Sequence, residues 1–520
     1  MSSAFRRTLP ARPDLEQQKT LAKELLRAYR AGDREAVARM RAELPDKAAP
    51  TLTAAQYVLA RQYGFASWRE LKDRIEQLTA ERRPPIERFK YAVQHGDAAA
   101  VRALVRDHAD VRASLNAPIF AFDAPALLQA SDDHPDVVDA LLEAGADPNR
   151  RSDWWAGGFH PLHVVRGAAA ERLLAAGAMP DACAAANLDR PDLLRAMLAD
   201  EPSRVHERGG DGQTPLHFAR SREVADLLLG AGADVDAKDV DHRSTPAQWM
   251  IGDGARSARW ELARHLVERG ASVDIFLAAA LGLTDHVRAM LEADPSLLHL
   301  HTSTGVYAAH PPAAQHIYEW TIGAHYSPLH AAAKFGQDET LAAMERFATP
   351  VERFLIACHR GAARAAHAVL ESHPGLLGKL DPFARAALTD AAWNSNAPAV
   401  EVLLELGFDP AVKSKHTDGG SALHAAAWQG AADCVAAILR HPGAKALLEV
   451  RDPTYHGSPL GWCLHGSVNR RNPRGDYVAV AKLLLDAGAR VDDDVEGRDA
   501  SDEVRAVIDQ RVIRAGSGSS

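Results

Sequence analysis

Carboxylate and imidazole side chains stand close together at several points of the sequence. Asp241 is followed directly by His242, Glu319 lies in a segment rich in histidine and aromatic residues, and His456 follows Tyr455. A carboxylate beside a histidine can transfer protons at neutral pH. Asp241, His242, Glu319 and His456 are therefore the acid or base candidates of this chain.

Aromatic side chains recur around these candidates. An indole face stacks on sugar rings, bases or acyl groups, and an arginine can hold an anion beside it. The ligand-binding candidates are Trp249, Trp320, His325, Trp393, Trp428, Tyr455, Trp462, His465 and Arg470. If the protein is an enzyme, this set favours acid/base hydrolysis of a small polar or sugar-like substrate.

Signatures of metal and cofactor chemistry do not support a more definite reaction. No HExxH, GxSxG, Walker or GxGxxG motif stands in a fitting context. His310, His316 and His325 are near one another in sequence, but their spacing fits no standard metal site. We therefore expect neither a metal nor another cofactor.

Composition limits the class of protein. The chain has 520 residues, of which 47% are hydrophobic, and a formal net charge of −9, which argues against general nucleic-acid binding. It has no apolar run long enough to span a bilayer, and residues 1–25 lack the apolar core of a secretory signal, so we expect no membrane partner and a cytoplasmic location. The four cysteines are far apart and lack CxxC spacing, which predicts buried free thiols.

The elements that position these residues are clearest in the stretch Gly210–Trp249. Thr214 and Pro215 suit a helix start, because a Thr side chain can cap free N–H groups and Pro fits the first turn. A second apolar run, Glu223–Leu229, ends near Gly232, a residue type that terminates helices. The sequence therefore predicts a helical hairpin followed by an exposed polar turn, after which the Thr-Pro pair recurs.

This unit resembles the ankyrin repeat in three segments: the TPLH of Thr214–His217, the LLL-x-x-GAD of Leu227–Asp234, and the STP that follows. The resemblance implies an all-α solenoid of stacked helical hairpins with a concave groove, because one unit cannot bury its apolar face alone. It also implies that the family's usual role, binding, applies, and that the TPLH histidines are structural. These histidines are His163, His217, His330 and His424.

Three regions follow from the distribution of such units. Residues 1–84 are an N-terminal helical module, similar to one that precedes the array in bacterial ankyrin proteins, with GFASWRELK as its most recognisable segment. We expect it to cap the first repeat. Residues 85–492 hold about twelve units of roughly 33 residues, interrupted by insertions at 302–324 and 468–476. Residues 493–520 form a C-terminal capping helix and a flexible tail.

Alignment of the units places several aromatic residues in the groove. Trp393, Trp428 and His465 occupy equivalent positions in three consecutive repeats, and Trp249 and Trp462 belong to a second groove-facing row. Exposed tryptophans of this kind mark a binding region or are covered by another segment. The 302–324 insertion is the candidate cover, and the sequence leaves both interpretations open.

Two functions remain. The first is a recognition scaffold that binds a protein or peptide along the concave groove. The second is a small-molecule or carbohydrate site that the insertion closes, with or without metal-independent hydrolase activity. This second function requires a pocket that brings together Trp320, His325, Trp428 and His456.

Overall fold

The fold is described from a computed structural model. It describes residues 5–7, 9–10, 15–44, 52–68, 70–71, 74–75, 84–129, 134–253, 258–414, 419–470, 472, 474–491, 500–501 and 503–508. Within these ranges the chain forms helices and turns and no β-strand, with two isolated bridges at Phe120–Ala124 and His310–Ala313. The predicted all-α class is confirmed.

Three helices form the described part of the N-terminal module. They are α1 (Leu15–Arg30), α2 (Arg34–Glu43) and α3 (Leu52–Gln62). Two apolar clusters hold the module together, one around Leu25, Met40 and Val58 and the other around Leu71 and Ile75. Both clusters consist of module residues alone in the described part of the chain, so the expected capping of the first repeat stays a prediction.

The repeat region begins with short paired helices. Up to the 302–324 insertion these are α4 (Pro85–Gln94), α5 (Ala98–Asp107), α6 (Ala109–Ala113), α7 (Pro135–Glu143), α8 (Pro161–Val164), α9 (Gly167–Ala175), α10 (Ala182–Asn187), α11 (Pro191–Asp200), α12 (Pro215–Phe218), α13 (Arg222–Gly230), α14 (Pro246–Met250), α15 (Ala258–Glu268), α16 (Ile275–Leu281) and α17 (Thr284–Ala293).

The pattern continues through the insertion to the end of the array. The helices are α18 (Tyr318–Thr321), α19 (Pro328–Lys334), α20 (Asp338–Met344), α21 (Pro350–His359), α22 (Ala363–Ser372), α23 (Pro382–Arg385), α24 (Ala387–Trp393), α25 (Ala397–Glu405), α26 (Ala422–Gln429), α27 (Ala432–Leu439), α28 (Pro459–Asn469) and α29 (Tyr477–Ala487). Single 3-10 turns lie at Ala121–Asp123, Ala126–Gln129, Pro202–His206, Gly210–Gly212, Ile251–Asp253, Pro295–His299, Gly305–Tyr307, Leu376–Lys379 and Ala444–Leu447.

In the best-preserved repeats, a buried histidine caps the N-terminus of the first helix of the hairpin, which is called the inner helix below. The Thr214 backbone N–H donates to His217 Nδ1 at 3.0 Å, and His217 Nε2 donates to the Ser244 carbonyl oxygen, 3.1 Å away in the next repeat. Burial lowers the pKa of His217 to about 3, so the ring is neutral at pH 7 and can accept on one nitrogen while donating from the other. The imidazole thus caps its own helix and joins two repeats.

The same arrangement recurs in later repeats. The backbone N–H groups of Ser327 and Ser421 donate to His330 and His424 at 3.2 Å. His424 Nε2 also reaches the Val450 carbonyl oxygen at 3.1 Å, in the following unit. These contacts agree with the structural role that the resemblance implies for the TPLH histidines.

Apolar packing runs continuously along the array. One cluster extends from Phe89 to Ala184, a second from Ala182 to Ile356, and a third from Phe354 to Ile508. Consecutive clusters overlap in sequence, and the second and third meet within α21, where Phe354 belongs to one and Ile356 to the other. Each repeat is therefore stabilised mainly by its neighbours, as expected of a solenoid.

Two local features of the fold match the sequence prediction. The hairpin predicted within Gly210–Trp249 is present as α12 and α13, and Gly232 has a φ of 96°, the left-handed conformation expected after a helix. All four cysteines are buried free thiols, as predicted. Within the described ranges, no helix combines the length and the apolar character needed to cross a membrane.

The two ends of the chain are described only in part. Residues 503–508 are helical, and Val504 and Ile508 are buried in the third apolar cluster. The rest of the predicted closing helix and the flexible tail lie outside the described residues, as does the segment at 76–83. The division into three regions stays a prediction.

Substitution of His217 by Ala tests the capping role. It leaves the buried Thr214 N–H without its His217 acceptor and removes one of the two donors to the Ser244 carbonyl oxygen, which keeps its bond from the Asp239 N–H. We expect the free energy of unfolding to fall by about 1–3 kcal/mol. Urea denaturation of the full chain measures this change. His206→Ala is the control, because His206 is exposed at the end of a 3-10 turn, and it should stay within about 0.5 kcal/mol of the original chain. Equal effects of the two substitutions would contradict the capping role.

Candidate functional site

The 302–324 insertion folds back onto the repeat that begins at Ser244. Tyr318 is fully buried, and its hydroxyl donates to Asp274 Oδ1 at 2.9 Å. The Ile317 N–H donates to Ser244 Oγ at 3.1 Å, and the Ala314 N–H donates to Asp241 Oδ1 at 3.1 Å. Side chain and backbone bonds together fix the insertion to this repeat.

Two of the predicted acid/base residues lie beneath the insertion. His242 Nδ1 donates to the Gln315 carbonyl oxygen at 2.8 Å, since a carbonyl can only accept. Nε2 lies 3.6 Å from Asp241 Oδ2, which is too long for a hydrogen bond. Asp241 is buried and already accepts from the insertion backbone. The geometry gives Asp241 and His242 a part in holding the insertion.

Trp249 and Trp320 flank the same histidine. The His242 ring makes edge contacts with both indoles, at centroid distances of 5.2 Å and 4.7 Å. Trp249 is half-buried, whereas Trp320, within the insertion, remains 48% exposed. His242, which is bonded to the insertion backbone, therefore links the two indoles.

That space is a cavity of about 880 Å³ between the insertion and the repeats that follow it. Its lining includes five residues singled out from the sequence: Glu319, Trp320, Trp393, Trp428 and Arg470. The 302–324 and 468–476 insertions both contribute to its wall, since Gln315, Asn472 and Arg474 also line it. Arg471 and Pro473, in the second insertion, lie outside the described residues.

Helix ends position the aromatic wall. Trp393 is the last residue of α24, and Trp428 lies in the last turn of α26. Both indoles are half-buried. The Tyr477 hydroxyl donates to the Trp428 carbonyl oxygen at 3.0 Å, and Asn472 Nδ2 donates to the Gln429 carbonyl oxygen at 3.0 Å. These bonds place the second insertion against the end of α26.

A close backbone approach completes this wall. Gly430 follows α26 with a φ of 67°, and a Cβ atom there would lie 2.9 Å from the Gly475 Cα. The Asp476 N–H donates to the Gly430 carbonyl oxygen at 2.8 Å. Glycine at both positions lets the loop that carries Arg470 and Arg474 lie directly on the helix end.

Lys334 supplies a cation from the opposite side. It is the last residue of α19, and its Nζ donates to the Ile322 carbonyl oxygen at 2.7 Å. Burial, together with the positive charge of Arg474, lowers the pKa of Lys334 to about 8. Lys334 was not among the sequence candidates. The alignment contained the signal, because Lys334 in SPLHAAAK stands where Trp428 stands in SALHAAAW.

Glu319 is a partly buried residue of the cavity whose carboxyl group has a raised pKa. Burial raises its pKa to about 7, while the Arg470 charge opposes this rise. Its Oε2 atom is buried and forms no hydrogen bond within the described part of the chain. Glu319 is therefore partly protonated at neutral pH and is able to give or take a proton. Cys434, which also lines the cavity, stays a thiol because burial raises its pKa to about 12.

A second aromatic group adjoins the cavity through Trp428. The Trp428 ring lies 6.1 Å from Trp462 and 5.6 Å from His465. Trp462 is buried, and its indole N–H donates to Asp452 Oδ2 at 2.8 Å. Tyr455 is 60% exposed and lies 6.3 Å from Trp462. Trp462 thus stabilises the loop that carries Tyr455, while His465 is exposed and extends the row.

The structure separates two residues that the sequence analysis placed in one pocket with Trp320 and Trp428. His456 lies on an exposed turn with a φ of 54° and is not part of the described cavity lining. His325 is buried and lines a different cavity, of about 60 Å³, beside Phe383 and Asp390. The reason is the local backbone. The exposed turn places His456 outside the cavity, and a left-handed conformation, with a φ of 58°, directs His325 into the core.

One cluster of side chains has the composition of a metal site. His163, Asp181 and Cys183 are the described group whose ligand atoms lie within 4.8 Å of one another. The His160 N–H donates to His163 Nδ1, which leaves the ring proton on Nε2, 2.9 Å from Asp181 Oδ2. Asp181 also pairs with Arg151. The cluster is thus a hydrogen-bonded repeat junction. His316, one of the three histidines considered from the sequence, is buried against Tyr307 and Tyr318.

Comparison with known proteins identifies the repeats. Residues 124–153 and 211–240 match the family model of the ankyrin repeat, and a search among curated proteins finds no match. Among solved structures, the chain is similar to the human ASB11 ankyrin repeat domain (19% identity, 46% of this chain and 98% of that chain covered, TM-score 0.26). It is also similar to the ankyrin repeat domain of Bcl-3, described as a unique member of the IkappaB protein family (20% identity, 46% and 98% covered, TM-score 0.25).

The chain therefore has the ankyrin-repeat fold, as predicted. The matched segments and the histidine-capped hairpins are the basis of this assignment. The second matched segment falls within Gly210–Trp249, and the first includes the 3-10 turn Ala126–Gln129 in place of a full inner helix. Neither matched segment contains a residue that lines the large cavity.

Asp390, in the helix that carries Trp393, is a buried carboxyl group whose effect on stability should depend on pH. Burial raises its pKa to about 7, against the hydrogen bond that Ser414 Oγ donates at 2.9 Å. The folded state therefore binds this proton more tightly than the unfolded chain, whose aspartate pKa is near 3.9. Stability from this group is present at low pH and is lost as the pH rises towards 7.

Replacement of Asp390 by Asn should remove this loss. We expect the variant to exceed the original chain in free energy of unfolding by on the order of 2 kcal/mol at pH 8, and to match it near pH 4. Urea denaturation at both pH values measures the difference. Asp200→Asn, at an exposed helix end, should change neither value. A difference between original chain and variant that is the same at pH 4 and pH 8 would show that the carboxyl is not the cause.

Proposed function

We propose that the chain is a recognition scaffold that binds a protein or peptide partner through the concave groove of its ankyrin repeats. Ankyrin repeats generally serve protein–protein interaction. The observation that carries the proposal is a row of side chains at the ends of successive inner helices. Lys334, Trp393 and Trp428 of this row line the cavity of about 880 Å³.

The physical properties of the row support binding of a polypeptide. Two half-buried indoles and the exposed Trp320 leave apolar area in water that a partner can remove. Tryptophan and arginine are also the residue types that contribute most to protein interfaces. Lys334, Arg470 and Asn394 place polar groups beside these indoles, as expected for a groove that binds backbone and side chains together.

A second candidate function is a small-molecule or carbohydrate site, with or without metal-independent hydrolase activity. Glu319 favours it, because a carboxyl with a pKa of about 7 suits general acid/base catalysis. A second catalytic group is harder to assign, since Asp241 and His242 are bonded to the backbone of the insertion. A thermal-shift panel of sugars, nucleotides and phosphorylated metabolites tests this candidate. A ligand that raises the midpoint of the original chain but not of Glu319→Gln would favour it.

Other features remain predictions. The cytoplasmic location, the bacterial origin and the capping role of residues 1–84 are proposed on the sequence features given above. The proposed partner is a protein or peptide, and we propose no nucleic-acid or membrane partner.

Selection from a random peptide library displayed on phage tests the proposed function. We expect the original chain to enrich peptides, and Trp393→Ala with Trp428→Ala to weaken their binding at least about tenfold, because aromatic anchors dominate interface energies. Trp155→Ala is the matched control, since Trp155 is 45% exposed and lies outside the described cavity lining. If no peptide is enriched, or if the double variant binds enriched peptides unchanged, the cavity is not the recognition site.

A further inference from the structure

Three cations face the same cavity without a carboxylate partner. Lys334, Arg470 and Arg474 line it, and none of them forms an ion pair within 4.0 Å in the described part of the chain. Arg470 uses its Nε to donate to Gln429 Oε1 at 3.2 Å, which orients the guanidinium. Lys334 is likewise held, by the bond from its Nζ to the Ile322 carbonyl oxygen, while Arg474 is exposed. Cations without a carboxylate partner, two of them held in place, are the elements of an anion site.

We propose that this cavity binds an anionic side chain of the partner peptide, a carboxylate or a phosphate monoester, between Lys334, Arg470 and Arg474. An adjacent bulky apolar residue of the same peptide packs on Trp393 and Trp428. This inference rests on the proposed function and specifies the chemistry of the partner.

Within the described residues, the acidic side chains of the cavity form no ion pair with these cations. Asp476 Oδ1 accepts the Ala479 N–H at 2.8 Å at the start of α29, and Asp433 lies in the first turn of α27. Both carboxylates are therefore next to helix N-termini, which favour negative charge. Glu319 is partly neutral at pH 7 because burial raises its pKa to about 7.

Electrostatic repulsion within the cavity supports an anion as the ligand. Burial and the Arg474 charge together lower the pKa of Lys334 to about 8, so the ammonium lies in a place where positive charge is unfavourable. An anion at this point would offset that cost. His359, which is packed near Lys334, adds no charge near neutral pH, since burial lowers its pKa to about 4.

The size and lining of the cavity favour a peptide over an isolated anion. A carboxylate or phosphate occupies a small part of about 880 Å³. The remaining wall includes the Trp393 and Trp428 indoles, which offer contacts to apolar side chains. Charge and apolar surface therefore lie close enough for one short peptide segment to use both.

The test uses the full chain and a random peptide library on phage. We expect the enriched peptides to contain Asp or Glu beside an aromatic or aliphatic residue. Arg470→Glu with Arg474→Glu should bind these peptides at least about tenfold more weakly in fluorescence anisotropy. Arg364→Glu with Arg385→Glu is the control of equal charge change, because both arginines are exposed and outside the described lining.

Synthetic versions of one enriched peptide identify the anion. Glutamate, phosphoserine and glutamine are compared at the anionic position. Tighter binding of either charged version than of glutamine supports the proposal, and the stronger of the two names the preferred group. Equal binding of all three overturns it. If Arg470→Glu with Arg474→Glu lowers the melting temperature, Arg470→Gln with Arg474→Gln is measured in its place, and unchanged binding by that variant is contrary evidence.

The pH dependence gives an independent readout. Between pH 8.5 and pH 6, Lys334 gains its charge and Glu319 loses its charge, while a glutamate on the peptide stays ionised, so the affinity for the glutamate version of the peptide should rise roughly threefold or more. Arg470, Arg474, Asp433 and Asp476 are the other charged groups of the lining. Glu319→Gln should flatten the lower part of this profile. Affinity that falls on acidification would contradict the proposal.

The outcomes separate this inference from the proposed function. Peptides that are enriched in a Trp428-dependent manner but lack acidic residues leave the proposed function intact and overturn the inference. The absence of any enriched peptide overturns both. Stabilisation by inorganic phosphate alone, lost in Arg470→Glu with Arg474→Glu and without peptide enrichment, would identify a small-anion site and also overturn both.

Discussion

The fold depends on a neutral imidazole at the junction between repeats. His217 accepts the Thr214 N–H on one ring nitrogen and donates to the Ser244 carbonyl with the other. Only a neutral ring can do both, and burial keeps it neutral. The bond joins two successive repeats, and His424, in the repeat that carries Trp428, makes the same kind of bond to the Val450 carbonyl oxygen.

The insertion at 302–324 adds a wall to the row and so forms an open cavity. A regular solenoid would leave Trp249, Trp393 and Trp428 along one open surface. Here the buried Tyr318 anchors the insertion to Asp274, and Glu319 and Trp320 beside it line the same cavity as Trp393 and Trp428. Whether the insertion covers these tryptophans or helps them bind a ligand stays a prediction in both forms.

Much of the fold could be predicted because the repeat encodes it locally. Thr214, Pro215 and His217 specify a helix start through short-range contacts, and these recur at a fixed period. The same alignment placed Trp393, Trp428 and His465 in one row and would have placed Lys334 there, had cations been considered along with aromatic residues. The positions of His325 and His456 could not be predicted in this way. Both have a left-handed backbone in irregular segments, where no repeating pattern sets the direction of the side chain.

Helix α21 separates the two walls of the cavity. Tyr318 and Ile322, beside Glu319 and Lys334, belong to the apolar cluster that ends at Ile356, whereas Trp393 packs on the cluster that begins at Phe354. Solenoids bend where packing between neighbours changes, so flexure at α21 would alter the width of the cavity. A partner in contact with both walls would restrict movement at α21. The flexibility of the array would then differ between the free and the partner-bound protein.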